Sequence, residues 1–220
     1  MSIPVNALLE HERFSEVVQL LLSGAVICEI SDPNLFDYLG DDSVTDAING
    51  YLKPLNRCIR LTTDHKGYLC AYRDIEHRDA KTAARQQFKE AAEDMHSLIH
   101  WISLVLSLDS SKGPIQPGVQ LNYSKLLEGI ERSQARLLEL ENLSQKGRFK
   151  STASSPRDRL KQVFKVLCEK GYLISCGQSG STYLATAKWS WLYDLLDFIR
   201  QHEDMPMPDE MPVEDQGSLF

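Results

Sequence analysis

The sequence predicts a mainly α chain with small β-hairpin wings, an α+β fold organised as tandem winged-helix domains. Three observations carry that expectation. Apolar residues recur at helical spacing through most of the chain. Two alternating, turn-separated runs each follow such a helix. The same order of elements occurs twice, without any short repeat of fixed period.

The first unit, residues 1–81, opens on a helix expected from about Val5 to Ser23, with Leu8, Leu9, Val17, Val18, Leu20, Leu21 and Leu22 on its apolar face and Gly24 as C-cap. Ala25 to Ile30 reads as a short strand. Asp32 as N-cap and Pro33 in the first turn start a short helix to Leu39. The next helix begins near Ser43, carries Val44, Ala47, Ile48, Tyr51 and Leu52, and ends at Pro54. Arg57 to Thr62 and Tyr68 to Arg73 then form a hairpin, with Gly67 expected to supply the turn.

The second unit, residues 82–202, includes a long connecting helix from about Thr82 to Leu108. Asp109 to Gln120 is rich in Ser, Gly and Pro and reads as loop. One helix is expected from Tyr123 to Leu143, then a polar loop from Ser144 to Ser155. Ser155, Pro156 and Asp158 give the clearest helix start in the chain. Leu160, Val163, Phe164, Leu167 and Cys168 continue that helix to a basic last turn and Gly171. Tyr172–Cys176 and Ser181–Thr186 make the second wing, and a final helix runs from Trp189 to Arg200. Residues 203–220 form a proline-containing acidic tail expected to be disordered.

At 42% hydrophobic and 25% charged residues, the 220-residue chain has ordinary globular composition. No run reaches the length a membrane span needs, and the N-terminus lacks a basic n-region, so a cytoplasmic location is expected. The five cysteines form no C-x-x-C pair and read as reduced, mostly buried thiols.

The net charge of −7 is unevenly spread. Lys146 to Lys170 holds eight basic residues against Asp158 and Glu169, a local +6, whereas Glu203 to Phe220 holds six acids and no Lys or Arg, a local −6. Lys146, Arg148, Lys150, Arg157, Arg159, Lys161 and Lys165 are therefore the candidate DNA-binding residues, on a loop and on the helix that occupies the recognition position of a winged helix. A solvated or protein-binding helix face is the competing reading.

Nucleotide-binding glycine loops, a nucleophile elbow and a zincin motif are all absent, and no carboxylate pair stands out, so the expectation is a binding protein without cofactor. His96 and His100 share a helix face with Glu93 nearby, but they read as ordinary helix residues rather than metal ligands. The last five residues resemble the Q-x-x-L-F peptide by which bacterial proteins dock into the DNA-polymerase sliding clamp. Gln216 would bond at the pocket rim while Leu219 and Phe220 fill it.

Tyr51–Leu61 with Gly67–Arg73, the long helix through Met95–Leu108, and Arg159–Ile174 running into the second wing are together similar to the MukE/MksE family. These are the tandem winged-helix, or kite, subunits of bacterial SMC-like condensins, and the MksE branch is the nearer. The resemblance lies in element order, length and acidic tail over most of the chain. It implies a homodimer that clasps an MksF/MukF-like kleisin and, through it, serves an MksB/MukB-like SMC ATPase on double-stranded DNA. Chromosome organisation, condensation and segregation, or plasmid defence, would follow.

The alternative is a winged-helix transcription regulator. Against it, the helix from Ser43 to Lys53 holds Asp46 and, as base, Lys53 alone, a poor DNA reader in an acidic chain.

Overall fold

The computed structural model describes residues 12–74, 78–108, 113–177 and 180–201, and of 78–81 and 83–93 the backbone alone. The described residues are mainly helical, with two small antiparallel sheets, as the sequence predicts. The acidic tail and the peptide Gln216, Leu219 and Phe220 lie outside these residues.

In the first unit, α1 (Glu12–Leu22) buries Phe14, Val17, Val18 and Leu21, a stripe at positions i, i+3, i+4 and i+7. α2 (Pro33–Leu39) starts as the sequence indicates: the Asp32 carboxylate accepts from Leu35 N at 2.9 Å, and Pro33 occupies the first turn. α3 (Asp42–Leu52) is capped by Asp41 and buries Val44, Ile48 and Leu52. Pro54 sits in a 3-10 turn over Lys53–Leu55, and Asn56 in the left-handed region (φ 55°) turns the chain into β1. β1 (Arg57–Leu61) and β2 (Tyr68–Tyr72) pair antiparallel, Ile59 opposite Cys70.

The strand expected over Ala25–Ile30 contracts to a bridge at Ile27, bonded both ways to Tyr68 at 2.9 and 2.8 Å. The cause lies next door. Ser31 N and Asp32 N both donate to Cys28 O, closing a turn before a second bridge can form.

α4 (Arg78–Leu108) is a 31-residue helix, about 46 Å long at 1.5 Å per residue, and starts four residues before the expected Thr82. Its second half is built into the second core, where Leu98, Trp101 and Leu104 pack with Leu127, Ile130, Leu140, Phe149, Leu160 and Phe164. The helix expected over Tyr123–Leu143 is two helices, α5 (Tyr123–Glu131) and α6 (Gln134–Gln145). Arg132 N closes α5 onto Glu128 and Ile130 carbonyls, and Ser133 is extended (φ −138°), so the chain bends there. Arg136 fastens the corner by donating to Gly129 O at 3.1 Å and to Ser107 O.

Where the expected loop ends, Gln120–Asn122 forms a strand, β3, which pairs with β5 (Thr182–Ala185); β5 in turn pairs with β4 (Leu173–Cys176), giving the order β3-β5-β4. Phe149, in a 3-10 turn at Gly147–Phe149, is fully buried, so the segment read as polar loop is pinned to the core. α7 (Pro156–Glu169) precedes β4, and α8 (Lys188–Gln201) closes the second unit. Both units therefore run helix, lone strand or bridge, helices, hairpin. Their buried residues form two separate clusters. All five cysteines are free; Cys28 is buried and the other four are half-buried rather than buried as expected.

The turn of the first wing is seated on the start of α8. Gly67 takes an ordinary backbone conformation, and the left-handed residue of the turn is His65 (φ 59°). What fixes glycine here is proximity, because a Cβ at position 67 would lie 2.6 Å from Val26 Cγ1 and 2.8 Å from Ala187 Cβ. Around it, Ser190 Oγ donates to Asp64 Oδ2 at 2.6 Å, Thr63 N donates to Asp194 Oδ2 at 2.9 Å, and Ala187 N donates to Cys28 Sγ at 3.4 Å. Gly67→Ala should cost about 1–3 kcal/mol through overpacking, and Ala187→Gly in the same background should recover part of that, as read from urea midpoints. An unchanged midpoint for Gly67→Ala would show that the turn is not seated.

Partial burial pushes the Asp64 carboxyl up, but hydrogen bonds from Ser190, Thr62 and Lys66 N, with the Lys66 charge, outweigh it and hold the carboxyl below its ordinary value. A carboxyl depressed on folding stabilises above its unfolded pKa, and that stability is lost as pH falls through the lower folded value. The joint should therefore hold at neutral pH and loosen only below about pH 4. Urea titrations across pH 2–6 should show Asp64→Asn removing that part of the acid dependence; an identical slope in wild type and variant would exclude it.

Candidate nucleic-acid interface

The site is built on α7. Ser155 Oγ accepts from Asp158 N at 3.1 Å and donates to Asp158 Oδ2 at 2.7 Å, a reciprocal cap that fixes where the helix begins. Leu160, Val163, Phe164, Val166 and Leu167 face the core. That leaves Arg157, Lys161 and Lys165, four residues apart, as an exposed basic stripe along the opposite face. Tyr123 O–H donates to Arg157 O at 2.7 Å and ties the first turn to α5.

The seven basic residues singled out in the sequence divide into two groups. Lys146, Lys150, Arg157, Lys161 and Lys165 are exposed. Arg148 and Arg159 are engaged inside the chain. Arg148 Nε pairs with Asp94 on α4 while its backbone N donates to Ser97 Oγ at 3.1 Å. Arg159 donates to Ala153 O at 2.9 Å and to Glu141 at 3.3 Å. Both hold the segment 147–153 against the body, and neither has its full set of donors free for a phosphate. The sequence carries no signal that separates them from the other five.

A groove of about 400 Å³ runs beside the stripe, between α7, the 151–153 segment and β5. Lys161, Gln162 and Lys165 form its rim, and Phe164, Cys168 and Tyr183 form its floor, with the Phe164 and Tyr183 rings 4.5 Å apart. Burial pushes the Cys168 thiol and the Tyr183 phenol above their ordinary values, with Glu169 and Cys168 respectively adding to it, so Lys161 and Lys165 against Asp158 set the charge of the groove at neutral pH. Sequence reading found α7 but missed the groove, because Tyr183 reaches it only through sheet pairing.

α3, the corresponding helix of the first unit, exposes Asp42 and Asp46 and has no basic stripe. His96 and His100 lie on the exposed side of α4 with rings 4.3 Å apart, beside Asn142 and Gln145. Among the described residues, no three His, Cys, Asp or Glu side chains are grouped to hold a metal ion. No helix among them is long and apolar enough to cross a membrane.

The model of one family, described as condensin complex protein MksE, matches residues 12–196. The chain belongs to the MksE family. The matched span includes both helix–hairpin units, the long helix α4 and the basic helix α7, so MksE membership covers the joint and the groove alike. No curated protein matches the sequence.

Proposed function

We propose that this MksE-family chain is the non-SMC, kite-type accessory subunit of an MksBEF- or MukBEF-like condensin. It acts as a homodimer that binds a kleisin and thereby supports an SMC-like ATPase in organising DNA. It is a binding subunit without cofactor or catalytic centre, acting in the cytoplasm at the nucleoid. The observation that carries this reading is the MksE family match across residues 12–196. The repeated order of helix, strand or bridge, helices and hairpin supports it, because tandem winged-helix domains, with units at 1–81 and 82–202, have that order. Chromosome condensation and partition, or defence against plasmids, are the processes such a subunit would serve.

Direct DNA contact is assigned to Lys146, Lys150, Arg157, Lys161 and Lys165, which are exposed and can neutralise phosphates without reading sequence. Arg148 and Arg159 position that surface. The peptide Gln216, Leu219 and Phe220 is a further proposed contact, with the sliding clamp. A chain lacking 216–220 should lose clamp affinity, and unchanged affinity would remove this contact.

The deciding experiment is an affinity pull-down of the tagged protein from its native host at physiological salt with nuclease added. Co-recovery of a kleisin and a large SMC-like ATPase in stable proportion is expected. Recovery of the protein alone, as a dimer that selects particular DNA sequences, would overturn this reading in favour of a transcription regulator.

A further inference from the structure

We propose that the chain's own acidic segment, residues 203–215, docks in the groove between α7 and β5 and covers Lys161 and Lys165. The groove combines two chemistries: a basic rim from Lys161 and Lys165, continued by Arg157 one turn earlier, and an aromatic floor from the half-buried Tyr183 backed by the buried Phe164. Asp158 and Glu169 offset part of that charge, Glu169 in an exposed pair 3.8 Å from Lys165, but Arg157, Lys161 and Lys165 leave the face net basic. An occupant should therefore carry acids interleaved with flexible apolar side chains.

Residues 203–215 have that make-up. Glu203, Asp204, Asp209, Glu210, Glu214 and Asp215 alternate in small groups with Met205, Met207, Met211 and Val213. Methionine adapts its unbranched side chain to irregular apolar surfaces and packs well against aromatic rings. Pro206, Pro208 and Pro212 favour the extended backbone that a shallow groove accepts. Charge is complementary, a local −6 meeting the most basic stretch of the chain.

Reach is not limiting. From Gln201, the end of α8, the 14 residues to Asp215 span up to about 46 Å when extended, against a radius of gyration of roughly 17 Å for a chain this size. An intramolecular segment also acts at high effective concentration, so weak contacts suffice. Coverage of the stripe would make DNA binding depend on displacement of the tail. That consequence rests on the DNA reading of α7, whereas the docking itself does not.

The test uses the full-length chain with the photo-cross-linker p-benzoylphenylalanine replacing Val213. Mass spectrometry after irradiation should locate the cross-link on α7 or β5. High salt and Lys161→Glu with Lys165→Glu should each reduce it several-fold. Cross-links scattered over the surface, or insensitive to charge reversal, would overturn the proposal. A second arm neutralises the tail in the full chain (Glu203→Gln, Asp204→Asn, Asp209→Asn, Glu210→Gln, Glu214→Gln, Asp215→Asn) and measures binding of a random-sequence duplex at low salt. Several-fold tighter binding alongside the cross-link supports both docking and its consequence. A cross-link with unchanged DNA affinity supports docking and refutes the DNA reading of α7. Tighter DNA binding without the cross-link refutes docking and leaves the DNA reading standing.

Discussion

Trp101→Ala should destabilise the second unit by about 3–5 kcal/mol, the range for removing a large aromatic side chain from a packed core. Trp101 is fully buried on α4 and meets Phe164 of α7 edge to face, with ring centroids 5.7 Å apart. It is thus the contact through which the long helix supports the helix carrying the basic stripe. Its cavity has little means of closing, because Leu98 and Leu104 on the same helix and Phe149 opposite are themselves fixed in the cluster. Trp101→Phe should cost far less. The indole N–H has no hydrogen-bond partner among the described residues, so phenylalanine discards a buried donor while keeping most of the volume. Denaturant midpoints of the two variants make the comparison. Near-equal losses would mean that phenylalanine restores none of the lost packing and that ring volume is not what the site depends on.

Reversing Arg157, Lys161 and Lys165 to Glu should weaken binding to any duplex at least tenfold and make log K against log salt shallower by about 3, roughly one per phosphate contact removed. The three side chains are exposed and point away from the core, so the thermal midpoint should hardly move. The contrast comes from Arg148→Ala and Arg159→Ala. Those changes leave Asp94 and Glu141 without their partners and should lower stability while leaving the salt slope nearly intact. Fluorescence anisotropy on two unrelated duplexes, across a salt series, measures all of this. A loss confined to one duplex would identify sequence readout, and a salt slope unchanged by the triple variant would remove α7 from the interface.

Elements whose ends are fixed by neighbouring side chains were legible in the sequence. Asp32 with Pro33, and Ser155 with Pro156, start α2 and α7 where the spacing predicts. The hairpins were legible for the same reason, since alternation and turn residues are local. What the sequence hid depends on partners far along the chain. β3 has three residues with Leu121 alone buried, and it exists because Tyr183 lies opposite. The break at Arg132–Ser133 falls where the apolar pattern lapses between Ile130 and Leu137, and it is held by Arg136 reaching back to Ser107, 29 positions away. The candidate site divides along the same line. Arg157, Lys161 and Lys165 are placed by helical periodicity, whereas the engagement of Arg148 and Arg159 requires Asp94 and Glu141, which periodicity does not bring near.

The seat of the first wing on α8 also has a mechanical meaning. Two bodies joined by a single helix can twist about it, as a door swings on one hinge. Here the second attachment, Asp64 with Ser190 and Thr63 with Asp194, lies 126 and 131 positions apart in sequence, and it closes the chain into a loop. A force applied to either half is then shared by two struts in parallel, so the pair turns as one lever. Releasing the hairpin tip would restore the swing without breaking either core.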